Sequence, residues 1–289
     1  MRIVSLLPAA TEIAWALGLG DELVGLGHDA DWPPEARAAD VPLMTAVGPD
    51  GPILDQAALG LLEPDLVLVG ETLPTGRDAA PLTLDALRAQ LPEATVLRLA
   101  PLSVEGILNA ITTVGAMAEA EDEAIGLVEL LRERLVGIEE RVRARREAGA
   151  APRRTVVLDG LTPPRAAGRW VPEQVRRAGG WDVLGGEGEP SRPIDWDDLR
   201  DVDPAIVVVA APDGLAAAAA RWRVERPEWW PELEAVRRGA VFAVEGGLLL
   251  RGGPRVVDGV AALAELLDPD GFEDTAPLAG WIPLDPAGR

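Results

Sequence analysis

The one imidazole in this chain, His28, adjoins Asp29 and Asp31 and lies four residues before the indole of Trp32. A neutral imidazole can ligate a metal or shuttle a proton, and neighbouring carboxylates can fix its tautomer. The plainer reading is a polar loop residue hydrogen-bonded to Asp29 or Asp31. With one histidine and no cysteine in 289 residues, a multi-histidine zinc site, thiolate catalysis and disulfides are all excluded. Histidine-dependent nucleophilic catalysis would have to use His28. The serines lack a nucleophile-elbow motif, and Ser5 ends a strand-like run. Asp197 and Asp198 open a helical pattern, where acids complement the helix dipole. Gly18-Leu19-Gly20 follows a helix and reads as a cap rather than a dinucleotide loop, and without lysine no phosphate-binding loop exists. The expectation is a non-enzymatic protein with no catalytic cofactor and no resident metal.

The aromatics point to binding. There are nine tryptophans, two phenylalanines and no tyrosine. Trp32, Trp170, Trp222, Trp229 and Trp230 stand outside the clearest regular patterns. Tryptophans on loops at strand ends suit a large, flat, partly apolar ligand, or else they pack between lobes. A net charge of −21 disfavours nucleic acid or an anionic membrane surface as principal partner. Every fixed cation is an arginine.

These residues need elements to hold them. Hydrophobic content of 48% is enough for two cores. No apolar run is long enough to cross a bilayer, and the opening residues enter a strand-like run at once. The chain as written therefore reads as cytoplasmic, or as extracytoplasmic if its N-terminus is incomplete, and as a monomer. The stretch from Ser103 to Ala148 has no proline, and from Glu121 onward Ile125, Val128, Leu131, Leu135, Ile138 and Val142 recur three or four apart on one stripe. It reads as a connecting helix over 103–150. Before it, Ile3 to Leu7, Glu22 to Leu26, Pro64 to Val69 and Val96 to Leu99 are strand-like, with helices starting near Thr11-Glu12, Asp55 and Thr83. After it, Thr155 to Asp159, Trp181 to Gly185 and Asp203 to Val209 repeat the scheme, followed by Val241 to Val244 and a helix over Pro254 to Leu267. The expected organisation is a first α/β lobe over 1–102, the helix, and a second α/β lobe over 151–289 whose residues from Asp268 on form an irregular tail.

Several stretches together carry a resemblance. Arg2 to Glu12 (RIVSLLPAATE), Asp31-Trp32-Pro33-Pro34, Pro64 to Val67, Gly168 to Glu173 (GRWVPE), Ser191 to Trp196 and Gly253-Pro254-Arg255 resemble the cobalamin-binding, helical-backbone (class III) solute-binding proteins of ABC transporters. The similarity runs nearly the whole chain, to about Leu267. It implies two doubly wound, Rossmann-like lobes joined by one long α-helix, little hinge closure, a corrinoid or iron chelate in the cleft, and docking onto a permease through one acid per lobe. By position, Trp32 stands where the family places an aromatic on the ligand, and Arg251 where it places an arginine near the corrin amides. The ligand set expected here is His28, Trp32, Arg165, Trp170 and Arg251. Asp197 is the expected docking acid of the second lobe, with Glu71 the nearest candidate in the first. Gly247 stands where better-known members have an aspartate, and Asp159 and Arg165 replace aromatics. The function implied is capture of cobalamin or a related corrinoid for an ABC transporter. The alternatives are an iron-siderophore binding protein, or an intracellular corrinoid carrier or enzyme on the same scaffold. In a corrinoid complex His28 is also a candidate axial ligand to cobalt.

Overall fold

The computed structural model describes residues 1–48, 51–73, 82–272 and 280–284. The chain forms two compact units, one of Met1–Ala100 with Leu108–Leu130, the other of Pro101–Ile107 with Leu131–Arg289.

The first unit runs β1 (Ile3–Ser5), α1 (Pro8–Ala16), β2 (Leu23–Leu26), α2 (Pro34–Ala38), β3 (Thr45–Gly48), β4 (Gly51–Leu54), α3 (Gln56–Leu61), β5 (Leu66–Val69), α4 (Leu84–Gln90) and β6 (Thr95–Arg98). Four strands pair in parallel in the order β2-β1-β5-β6. All residues of β1 and β5 are buried, as continuous apolar strands covered on both faces should be. Val4, Met44, Leu59, Val67, Val69 and Leu87 make the core on one side. Helix α1 starts at Pro8, ahead of the expected Thr11, because proline's fixed φ and missing N–H suit the first helical turn. Thr11 is thereby buried, and its hydroxyl donates to the Ser5 Oγ at 2.8 Å. The hairpin of β3 and β4 carries no apolar alternation that would announce it. Val47, Pro52 and Ile53 lie exposed, and a proline within a short run argues against a strand.

The expected continuous helix over 103–150 is two helices, α5 (Val104–Met117) and α6 (Glu121–Glu147). Ser103 does cap the first, its Oγ accepting the Gly106 N–H at 3.0 Å. The break follows from Glu119, which adopts a left-handed φ of 57°, and from the Ala120 N–H donating back to the Gly115 carbonyl at 2.8 Å. Gly115 is required there: a Cβ would sit 2.4 Å from the Ala124 Cβ. At 27 residues, α6 is about 40 Å long. Its buried ladder is Ala124, Val128, Leu131 and Leu135, with Ile138 and Val142 half-buried. Ile125, expected on that stripe, is 49% exposed, since Ala124 takes the inward position.

The second unit runs β7 (Arg153–Leu161), β8 (Pro164–Ala166), α7 (Val171–Arg177), β9 (Gly180–Asp182), β10 (Arg192–Pro193), α8 (Trp196–Val202), β11 (Ile206–Ala211), α9 (Leu215–Glu225), α10 (Glu234–Arg237), β12 (Val241–Glu245), α11 (Gly246–Leu249), α12 (Val256–Leu267) and β13 (Trp281–Pro283). Its parallel strands stand in the order β9-β7-β11-β12, the same second-first-third-fourth order as in the first unit. The α/β class and the internal repeat are as the sequence implied. Antiparallel β8 and β10 extend one side, and β13 pairs with β12 on the other, Ile282 opposite Ala243. The C-terminal segment is therefore not wholly irregular: Phe272 and Leu284 are buried and residues 281–283 complete the sheet. The rest of that expected tail, 273–279 and 285–289, lies outside the described residues. Trp222 and Trp230 are fully buried, edge to face at 4.3 Å, with Trp196 at 6.2 Å from Trp230. They are core residues of this unit, and Trp222 lies inside α9 rather than in a loop.

Candidate ligand-binding and docking sites

In the first unit, the carboxyl ends of β1, β2 and β5 share one sheet edge, where open α/β folds place ligands. The chain leaves β2 into Gly27 and His28, whose peptide N–H donates to the Thr45 Oγ1 at 2.7 Å. The same hydroxyl oxygen lies 2.8 Å from His28 Nδ1, while the Asp29 carboxylate is 4.0 Å away. The ring is thus oriented by Thr45 rather than by a neighbouring aspartate. With its proton on Nδ1 and donated to Thr45, the ring leaves the Nε2 lone pair available to a metal; with the proton on Nε2, it is a donor. The side chain is 25% exposed. Trp32, on the same loop, is 41% exposed and precedes a cis proline, Pro33. Glu71 follows β5 on the same edge and is exposed.

In the second unit, the corresponding edge carries the β7–β8 turn and the segments after β9, β11 and β12. Arg165 is half-exposed, with its Nε 3.2 Å from Asp159 Oδ1 and an Nη 3.2 Å from the Ser191 carbonyl. Trp170 differs from a loop aromatic facing solvent. It is 7% exposed, and its indole N–H donates to the Leu249 carbonyl at 2.7 Å. Its ring lies under Gly252, where a Cβ would come within 3.2 Å of it, so Trp170 supports the segment that presents the half-buried Arg251. Close approach also explains Gly168, where a Cβ would meet the Glu189 carbonyl oxygen at 2.3 Å. Gly247 leaves room for the Arg255 guanidinium, 2.6 Å from a Cβ built there. Asp197 is exposed in the first turn of α8, and Asp198 accepts the Asp195 N–H at 2.9 Å, closing that turn.

Asp182 closes β9. Its Oδ1 accepts N–H groups from Leu184 at 3.1 Å and Gly185 at 2.7 Å, while Oδ2 is out of solvent with no partner. Burial pushes its carboxyl up to about 6 against the pull of those two N–H groups.

Residues 3–246 match the family profile described as periplasmic binding protein. The chain belongs to that family. It is similar to the uncharacterized ABC transporter substrate-binding lipoprotein YvrC of Bacillus subtilis, 28% identical over 94% of this chain and 82% of the relative. It is also similar to the vitamin B12-binding protein of Vibrio cholerae, 25% identical over 92% of this chain and 88% of the relative. A periplasmic heme-binding protein from Pseudomonas aeruginosa superposes with a TM-score of 0.74 at 24% identity, covering 96% of this chain and 95% of that one, and so shares the fold. Members of the periplasmic binding protein family are solute carriers, and this chain is a substrate-binding protein of ABC transport, with a small-molecule ligand and a permease as partners. No helix among the described residues is long and apolar enough to cross a membrane.

Two positioning residues carry no local signal. Thr45 reaches His28 from 17 positions away, on a hairpin the pattern does not announce. Asp159 and Arg165 are six apart, and only the turn through Thr162-Pro163-Pro164 brings them together.

Proposed function

We propose that this protein captures cobalamin or a related corrinoid outside the cytoplasm and delivers it to an ABC-transporter permease. The observation that carries the reading is the similarity, over nine-tenths of the chain, to a protein that binds vitamin B12. In our reading Trp32 lies against the corrin face, Arg165 and Arg251 donate to its amide carbonyls, and Trp170 supports Arg251. His28 is the one imidazole available for axial coordination, oriented by Thr45. Glu71 and Asp197, each exposed on its own unit, are the permease-docking acids.

Calorimetry and thermal unfolding with cyanocobalamin, cobinamide, haemin and a ferric hydroxamate test the ligand. A corrinoid dissociation constant on the order of 1 μM or tighter is expected. At 100 times that constant, ligand should add about 3 kcal/mol of apparent stability. No heat and no melting shift with either corrinoid, beside a clear response to an iron chelate, moves the assignment to the chelate. Coordination by His28 predicts a change in the corrinoid absorption spectrum on binding that His28→Ala abolishes. An unchanged wild-type spectrum ends the coordination reading and leaves His28 as a loop residue.

A further inference from the structure

A cavity lies at the opposite edge of the second unit's sheet, where β7 and β9 begin and Ala205 leads into β11. It measures about 500 Å³, within the range of small-molecule sites. Ligands of open α/β sheets bind at the carboxyl ends of strands, so this cavity is separate from the proposed corrinoid site. Arg145, Arg146, Arg153, Arg154 and Arg238 line it, against three carboxylates, Glu234, Asp268 and Asp270. That local excess of cations occurs in a chain of net charge −21.

Three of the arginines are engaged. Arg145 grips Asp268 with Nε at 2.6 Å and Nη2 at 2.9 Å, Arg238 pairs with Glu234 at 3.0 Å, and Arg154 donates to the Val202 carbonyl beneath Trp181. Among the described residues, Arg146 and Arg153 make no ion pair, although Arg153 faces Asp268 closely enough to help Arg145 hold that carboxyl below its usual range. Arg145 and Arg146 end α6, where cations complement the helix dipole. The dipole does not account for Arg153, which enters from the start of a strand, nor for the apolar lining. Val142, Ala178, Leu267 and Phe272 supply that lining.

We propose that this cavity binds a small oxyanion carried on an apolar body, a phosphate monoester or carboxylate, with Arg146 and Arg153 on the oxygens and Leu267 and Phe272 against the body. Arg145 is held in reserve by Asp268. The test is calorimetry of the whole chain with phenyl phosphate and benzoate, beside sedimentation with phosphatidylglycerol vesicles. One-to-one saturable binding of at least one soluble probe is expected, weakened about tenfold or more by Arg146→Gln with Arg153→Gln, both exposed positions. Asp268→Asn, which frees Arg145, should tighten the binding, provided its melting curve shows a folded protein. Corrinoid binding in the double variant should be unchanged, so the two sites fail independently. No saturable binding of either soluble probe, or equal affinity in the double variant, overturns the proposal. Vesicle sedimentation that the double variant abolishes, without binding of either soluble probe, overturns it in favour of a lipid headgroup.

Discussion

At the scale of single residues, the structure separates side chains that face solvent from those that hold others in place. Trp32 is 41% exposed, so Trp32→Ala should leave the melting temperature within a degree or two yet weaken corrinoid binding by about tenfold or more, as loss of an aromatic anchor does. Calorimetry of the variant checks it. Trp170→Ala should instead cost about 3–4 kcal/mol of stability, since it empties a buried site and orphans the Leu249 carbonyl. Asp182 gives a pH dependence of definite sign. Its folded carboxyl sits near 6, above the usual 3.8, so the folded state binds the proton more tightly than the unfolded chain. Stability from this group is therefore greatest below the unfolded value and falls as pH rises from about 4 to about 6, by about 3 kcal/mol. Urea unfolding of wild type and Asp182→Asn should show their stability difference changing across that window and staying constant above pH 7.

At the scale of elements, two glycine classes should respond in opposite ways. A Cβ at Gly115 would strike the Ala124 Cβ, in the first turn of α6, at 2.4 Å and the Ala120 carbonyl, in the turn between α5 and α6, at 2.8 Å. Gly115→Ala should destabilise by about 2 kcal/mol despite its better helix propensity. Gly126 and Gly137 lie on α6 with open space around them, so alanine there should stabilise by about 0.5–1 kcal/mol each. Urea midpoints of the three variants decide the matter. The start of α5 depends on a distant acid: Glu173 of α7 accepts the Val104 N–H at 2.7 Å through one oxygen and the Arg177 Nε at 2.9 Å through the other. Glu173→Ala leaves the buried Val104 N–H without its acceptor and removes one of the two carboxylates paired with Arg177, Glu139 remaining, and should cost about 2 kcal/mol by denaturant titration.

At the scale of the whole molecule, the α/β class, the repeated succession of strands and helices and the long charged helix are legible because they rest on local patterns. Continuous apolar runs such as Leu66–Val69 and Ile206–Ala211 have few environments other than a covered parallel strand, and a three-four stripe is a helix face wherever it sits. Glycine, proline and capping residues marked most boundaries for the same reason, as Asp55 and Thr83 do at α3 and α4. The chemistry that could be excluded was likewise settled by residue types alone: one histidine, no cysteine and no lysine rule out multi-histidine metal sites, thiolate catalysis and lysine Schiff bases whatever the fold. Tertiary structure decided what depends on partners far along the chain. It buried Trp170, Trp222 and Trp230 while leaving Trp32 exposed, because an indole's role follows from what surrounds it and not from its neighbours in sequence. It turned His28 toward Thr45, paired Arg165 with Asp159 and brought β13 onto β12, since hydrogen bonds and strand pairing made across a turn or a hairpin, or between distant strands, leave no trace in local periodicity. It also gathered the arginines of α6 and β7 around one cavity, a convergence of charge that exists only once helix and strand are folded together.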